Sequence, residues 1–454
     1  MAGLAASLRA TELGLRLRIF EARNEARYPC NTRYGGGVFH LAFRSMRTHP
    51  RELAQCIVDV TAGFVSDSIA AALGSNAARS IDWLAGKGIG FGSIEPTEGW
   101  RDNILQPLGY HDRTRLHWDG FGSDKMMTVL EDALAQAAVH IERGRRVRSL
   151  VMENGRCCGV SLADGETIPA TAVVLADGGF QGSPELLREY VTPFPERLRQ
   201  RGPGTSQGDG IRMAREAGAG FVGMDRFYGH ILSLDSRHND DLWPFPFLDF
   251  VAASGALVDR MGKRFTNEGR GGVAMANALA CHQDADPAFA IFDEPIWQQA
   301  GRHFFAPPNP NLVKAGGTLY VADDIPTLAE RAGLRREHLE ETIARHNAAV
   351  AAGDLSTLPV PRTDQKGAVR PIVTGPFYAA PGCAAITHTM GGVRVDGQAH
   401  VLRSDETSIP GLFAAGNVTG GMDGGNRVAY VGGLAIALIY GLLAAETAAS
   451  ELRA

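Results

Sequence analysis

Apolar positions along the chain change period several times, and each change marks an element. Between residues 44 and 90, Leu53, Ile57, Val60 and Phe64, and then Ile69 and Leu73, recur three and four apart, the spacing of helices with one face turned to a core. A further helix is predicted over 126–138. The period then drops toward two: 147–153, 159–163 and 172–176 read as strands, with turns at Asn154-Gly155 and Asp164-Gly165. This is a β-meander feeding a central strand. That strand, Val173-Val174-Leu175-Ala176, runs into Asp177-Gly178-Gly179-Phe180, where absent side chains let backbone approach a ligand. Residues 205–210 lead into a helix over 211–217. From about 225 to 374 the texture shifts to more Trp, Pro and His, with a β-hairpin predicted at 256–265 and a charged helix over 335–351. The glycine-rich style returns at Gly375-Pro376-Phe377-Tyr378. The pattern predicts a ligand-holding domain, 1–225 and 375–454, interrupted by a capping domain, 226–374.

Both ends of the ligand-holding domain repeat one layout. Near the C-terminus an apolar strand breaks at Gly416-Asn417, a loop carries Gly424-Gly425-Asn426-Arg427, and Gly432-Gly433-Leu434 opens an apolar helix. A helix N-terminus offers unpaired N–H groups and a positive dipole end, which suits a phosphate or a ring that becomes anionic on reduction. At the other end an Ala/Leu-rich helix starts near Gly3, followed by Gly14, a strand over 17–20 and Glu21. This is the second half of a dinucleotide fingerprint, with Gly3 as its third glycine and Glu21 as the acid that accepts from a ribose. The half-motif equally describes a glycine that opens a helix and a surface carboxylate. The matching first strand and glycines are expected about 10 to 20 residues upstream of Met1. Met1 is then expected to be an internal methionine, and the chain as it stands to bind its dinucleotide weakly and expose a groove.

Length and composition narrow the class. At 454 residues the chain exceeds one core, so two domains are expected. With 44% hydrophobic and 21% charged residues and 55 glycines it fits an α/β protein with many tight turns. A net charge of -5 leaves no basic footprint for nucleic acid. No uninterrupted apolar run approaches the roughly 20 residues of a membrane span, and 434–445, the most apolar stretch, reads as a buried helix. Cys30, Cys56, Cys157, Cys158, Cys281 and Cys383 show neither CxxC nor metal-ligand spacing. They read as reduced thiols in a cytoplasmic protein without a metal site. Cys157 and Cys158, adjacent on a strand, should point to opposite faces.

The ordered set of Asn31-Thr32 through Gly35-Gly36-Gly37, residues 173–180, Gly208-Asp209-Gly210, residues 262–268, Gly375 to Tyr378, His388-Thr389-Met390-Gly391-Gly392 and residues 411–434 covers nearly the whole chain. It resembles the FAD-dependent flavoproteins of the fumarate reductase / succinate dehydrogenase superfamily, in the soluble branch with tricarballylate dehydrogenase-like and urocanate reductase-like proteins. The resemblance implies an α/β fold: a Rossmann-like FAD-binding domain of the glutathione reductase type, parallel sheet plus β-meander, with an inserted α+β substrate-capping domain. It implies that Gly3 and Glu21 serve the dinucleotide's pyrophosphate and ribose, that Asn31 and Thr32 lie near the flavin, and that Gly36, Gly37, Ala176 and Asp209 bind the cofactor. It places Gly178 and Gly179 on the adenine side, Gly416 and Asn417 at the ribityl chain, and Gly433 and Leu434 at the flavin N1 and O2. Asn417 stands where the family commonly has Glu or Asp. No histidine stands beside Asn31-Thr32, which implies noncovalent FAD.

The implied reaction is hydride exchange between flavin N5 and a substrate carbon, with a proton moving at the neighbouring carbon, so that a C=C bond next to a carboxylate or carbonyl is formed or reduced. Such a proton site needs polarising donors or cations. His388 and Arg427 match the family's substrate-binding pair, arginine because its fork pairs both carboxylate oxygens. Arg270 lies about two residues out of register with the family's proton-transferring arginine, and His230 matches a second substrate histidine. By themselves Arg270 is equally a surface arginine and His230 a hydrogen-bonded core histidine. Leu248-Asp249 stands where fumarate reductases have Thr-Glu, which argues for a larger or less charged substrate, and Trp243, Phe245, Phe247 and Phe250 add apolar walls. A 3-ketosteroid dehydrogenase-like enzyme with Tyr430 as acid/base is one alternative. A binding protein that holds no FAD is another. Since Gly86 to Gly92 follows a helix, no second nucleotide fingerprint is visible, and a separate electron donor or acceptor is expected.

Overall fold

The Ala/Leu-rich start of the chain forms the helix Ala2–Glu12, with Leu4, Ala5 and Leu8 buried. It crosses the final helix, Gly433–Glu451, so closely that a Cβ on Gly441 would stand 2.6 Å from the Ala2 carbonyl. Small residues permit that approach. The computed structural model describes residues 1–93, 102–105, 122–303, 307–364 and 369–453.

Two parallel strand pairs carry the ligand-holding domain. Ile19–Glu21 pairs with Ile141–Arg143, and Val173–Leu175 pairs with Ser408–Ala414, which continues antiparallel to His400–Leu402. The two pairs belong to separate sheets, and Ile19, Val173 and Val174 line the space between them. A meander forms from Val147–Glu153, Arg156–Leu162 and Thr167–Pro169, antiparallel in sequence; its third strand lies between the predicted 159–163 and 172–176, and Val173–Leu175 pairs in another sheet. Cys157 is buried on it and Cys158 turns the other way, toward that space.

The stretch 44–90 resolves into two helices, Pro50–Thr61 and Asp67–Gly86. Ala62 takes the left-handed conformation and ends the first, while the Ser66 hydroxyl accepts from Ile69 N and starts the second. Leu53, Ile57, Ile69 and Leu73 are buried as their spacing requires.

The capping region is built on one sheet, in the order Phe227–Ser233, Phe377–Thr389, Ala288–Asp293, Ala256–Val258. Its longest strand, Phe377–Thr389, follows residue 374, so the sheet continues past the expected boundary. The hairpin expected at 256–265 does not form. Ala256–Val258 pairs with Ala288–Asp293, and a single bridge joins Val258 to Arg264. The Asp259 carboxylate accepts from Met261 N and Lys263 N at 2.9 and 3.0 Å, closing a turn there, and Arg264 Nε donates to buried Glu268 at 2.8 Å. The turn takes up the Met261 and Lys263 N–H groups that a second strand would need for its ladder.

The final helix, with 19 residues and mean hydropathy 1.5, is long and apolar enough to cross a membrane by length and composition. It is 67% buried inside the protein, which makes it the core helix expected from residues 434–445.

Candidate active site

One cavity of about 1800 Å³ runs from the Glu21 end of the first parallel pair, past the start of the first helix, to the start of the last helix and the edge of the cap sheet. That exceeds the roughly 300–1,000 Å³ of an ordinary small-molecule pocket. It leaves room for a dinucleotide and a second small molecule.

At the first end Glu21 accepts from Arg23 N at 2.9 Å, and burial pushes its carboxyl up. Asp177 accepts from Gly210 N at 2.7 Å, and burial pushes it up to about 6. Gly178 bends away at φ +91, and a Cβ there would stand 2.6 Å from Ser206 Oγ. The first helix begins without a side-chain cap, the last with the Tyr430 hydroxyl accepting from Gly433 N, and Gly3, Gly433 and Leu434 line the cavity. Helix N-termini facing one cavity fit a pyrophosphate at one end and an electron-rich ring at the other. FAD fits this arrangement.

The far end is an aromatic box built by a β-bulge. Along the Phe227–Ser233 strand, Tyr228 pairs with His388 and Gly229 with Ile386, so Thr387 has no opposite number. Thr387 and His388, consecutive in sequence, both line the cavity, which regular alternation forbids and a bulge allows. Tyr228 stacks on Tyr430 at 3.9 Å between ring centroids and lies 5.1 Å from the His388 ring. His388 is 7% exposed, its Nε2 has no hydrogen-bond partner, and burial, then the nearby Arg201 charge, push its pKa down to about 3. It is a neutral imidazole with an open position toward the cavity.

Tyr228 is backed by a second line of groups. Its hydroxyl lies 3.1 Å from His230 Nε2, and His230 Nδ1 lies 2.5 Å from Asp249 Oδ2. Burial lowers the His230 pKa despite the neighbouring carboxylate, so the ring is neutral. Asp249 Oδ1 accepts from Ile231 N at 2.8 Å. A carboxylate only accepts, so Nδ1 carries the proton and Nε2 accepts from the Tyr228 O–H. Across the box the Gly433 N–H donates to Tyr430 Oη at 3.0 Å. Asp423 holds this loop by accepting from Val431 N at 2.5 Å, and burial pushes its carboxyl up to about 7.

The expected residues divide clearly. Gly3, Glu21, Asn31, Thr32, Gly36, Gly37, Ala176, Gly178, Asp209, Gly416, Asn417, Gly433, Leu434 and His388 line the cavity. Gly179 does not; a Cβ there would collide with Thr389 Oγ1, so its role is close packing. His230 stands one hydrogen bond behind Tyr228. The Gly433 N–H, expected at the flavin, is engaged by Tyr430 instead.

Arg270 and Arg427 lie outside the cavity and are exposed, donating to the Asn426 and Asp59 carbonyls respectively. Gly424 and Ala429 bridge to each other, and the tight turn between them turns Arg427 outward. At the start of the Gly272–Cys281 helix a Cβ on Gly272 would collide with Asp249 Oδ2, so position 272 can carry no side chain. Leu248 is fully buried in the core rather than in the site. Sequence reasoning missed Arg201 and Tyr228. Arg201 carried no signal, but Tyr228 stands two residues from His230 on one strand face.

A family model described as an FAD binding domain matches residues 1–431. The chain belongs to that family. Its fold is that of the fumarate reductase superfamily: the open conformation of a flavocytochrome c3 fumarate reductase superposes with a TM-score of 0.69 at 23% identity, covering 99% of this chain and 76% of that one. The NADH:acrylate oxidoreductase of Vibrio harveyi is 30% identical over 389 residues, which is 83% of this chain and 36% of the relative. The 4-oxocyclohexanecarboxylate 2-dehydrogenase of Sinomonas cyclohexanicum is 31% identical over 291 residues, 59% of this chain and 49% of the relative. The chain thus matches between a third and a half of the length of these two family members.

Proposed function

We propose that the chain is an FAD-dependent oxidoreductase that forms or reduces a C=C bond next to a carbonyl group. The observation that carries this reading is the pair formed by Tyr430 Oη and the Gly433 N–H, 3.0 Å apart beside the open Nε2 of His388. A ketone oxygen that takes over the Gly433 N–H from Tyr430 can accept from the Tyr430 hydroxyl as well, and the two donors stabilise it as it gains charge. The arginines that would favour a dicarboxylate lie outside the cavity. The Sinomonas relative, named for a cyclic oxo acid, adds support.

Bound FAD, held noncovalently, supplies the two-electron acceptor or donor for a hydride at the carbon β to the carbonyl. The chain's own residues do the rest. Tyr430 and Gly433 hold and polarise the oxygen, which acidifies the adjacent C–H. Tyr228 exchanges that proton through its hydroxyl, with His230 as the base behind it and Asp249 fixing the tautomer. The box of Tyr228, Tyr430, Phe245 and Phe247 excludes water. The electron partner is a separate molecule, and the six free thiols support a cytoplasmic location.

The test starts from purified protein, whose flavin should pass to the supernatant on acid precipitation. A screen of cyclic ketones and enones, 4-oxocyclohexanecarboxylate included, should then change the flavin spectrum. Tyr430→Phe should lose on the order of 10²-fold in turnover, the cost of one such donor, while Arg270→Ala keeps wild-type turnover. A colourless protein, or an Arg270→Ala loss matching that of Tyr430→Phe, refutes the reading.

A further inference from the structure

Phe247 and Asp249 stand two residues apart and address the same imidazole from different sides. The Phe247 ring lies flat on the His230 ring, with centroids 4.0 Å apart and 7° between the planes, while Asp249 Oδ2 meets the Nδ1 edge. The segment that carries both is laid along the open edge of the Phe227–Ser233 strand, the first in its sheet. Phe247 bridges to Leu232, Leu248 N donates to the Ile231 carbonyl at 2.9 Å, and Ile231 N donates to Asp249 Oδ1 at 2.8 Å. Three consecutive residues are thereby pinned to one strand, so backbone bonds as well as packing set where the phenyl ring stands. The guanidinium carbon of Arg201 lies 4.7 Å from the centre of that ring. A parallel imidazole at 4.0 Å fills one face, so the guanidinium takes the other. The phenyl ring is a spacer between a cation and the base.

The torsion that turns an imidazole is broad and roughly two-fold, so the side chain by itself does not choose which edge meets which partner. At His230 the choice decides the chemistry. Nδ1 faces Asp249 and Nε2 faces the Tyr228 hydroxyl, and half a turn would put a carbon where each nitrogen stands. To turn, the ring must pass edge-on through the space that Phe247 fills. We propose that Phe247 is the positioning residue of the proton relay: its ring holds the His230 plane in the one orientation that presents Nε2 to Tyr228 and Nδ1 to Asp249. This rests on the carbonyl reading above, in which Tyr228 and His230 move the substrate proton, and adds the group that keeps the two aligned. Phe247 is 6% exposed and lines the cavity, whereas His230 does not. The phenyl ring therefore also screens the imidazole from an incoming substrate, and leaves the Tyr228 hydroxyl as the proton's way in and out.

The experiment reads the tautomer directly, by NMR of the flavin-loaded protein with its histidines labelled in heavy nitrogen. Protonated and bare ring nitrogens resonate far apart, and among the 13 histidines His230 is identified by the signals lost in His230→Gln. At neutral pH the wild type should show one form, with the proton on Nδ1 and Nε2 bare. Phe247→Leu fills the space without a flat face. It should show a mixture of tautomers, and kcat on cyclic ketones should fall on the order of 10²-fold, the range for a catalytic group displaced by about 1 Å, while Tm and flavin content hold. Phe247→Tyr keeps the flat face and should keep the single tautomer and most of the turnover. A single Nδ1–H form in Phe247→Leu together with wild-type kcat overturns the proposal, and so does a mixture already present in the wild type. If Phe247→Leu loses flavin or fails to fold, Phe247→Met, also without a flat face but more adaptable in packing, takes its place. The spectra need no substrate, so they decide on Phe247 even if no ketone alters the flavin; that outcome refutes the carbonyl reading alone.

Discussion

Tyr228, His230 and Asp249 show how a buried phenol is made useful. Burial pushes Tyr228 up to about 12, with Arg201 pulling the other way, so the free phenol is a poor base at neutral pH. A neutral imidazole accepting its proton shortens that gap, provided the tautomer is right. Asp249→Asn tests the tautomer: the amide donates to Nδ1, leaves the proton on Nε2 facing the phenol, and should cut kcat by about 10²-fold or more while flavin stays bound. Wild-type kcat in that variant would show that the three groups merely pack together. His230 was legible in the sequence as a site residue. Its depth was not, because period-two alternation gives the face of a strand and says nothing of what stands in front. Arg201 was illegible for a related reason: its partners, Thr387 and Pro244, lie 186 and 43 residues away, and no local pattern joins them.

Among the elements, the loop into the last helix matters most. The framework over residues 411–434 forms the strand, turn and helix start that its glycines predict, and Gly416, Asn417, Gly433 and Leu434 line the cavity. What the sequence hid was the geometry of the turn at Gly424-Gly425, which carries Arg427 out and brings Tyr430, three residues later, in. Glycine spacing marks where backbone comes close; which side chain follows it depends on dihedral angles that many loops share. Gly432 shows how little freedom remains, with φ +151 and no room for a Cβ against the His40 carbonyl. Gly432→Ala should therefore displace Tyr430 and Gly433 together, costing about 1–3 kcal/mol as overpacking, with Tm and flavin content falling in parallel. An unchanged Tm would mean the loop has slack that its contacts deny.

For the molecule as a whole, the last helix must stay docked, since its start forms one wall of the site. His400 helps hold its far end, with Nδ1 2.7 Å from Asp396 Oδ2 and Nε2 2.7 Å from Glu451 Oε1. The Asp396 hydrogen bond raises its pKa from 6.5 to about 9, with Glu451 adding to it. The folded state therefore binds this proton more tightly than the unfolded chain does. Its contribution is complete below about pH 6.5 and disappears as pH rises through about 9. Tm should fall across that window, and His400→Ala should flatten the fall; the same slope in both would clear His400 of the role. The overall architecture was legible because hydrophobic period and glycine placement are set by the fold. The cap sheet's continuation past residue 374 was not, because long-range pairing leaves no local trace. The bulge at Thr387 also makes the strand sensitive to a change of one residue in length. Pairing on its two sides agrees once that residue is omitted, since His388 still meets Tyr228. Deleting Thr387 should therefore leave the ladder in register and keep His388 opposite Tyr228, while removing the hydroxyl that accepts from Arg201.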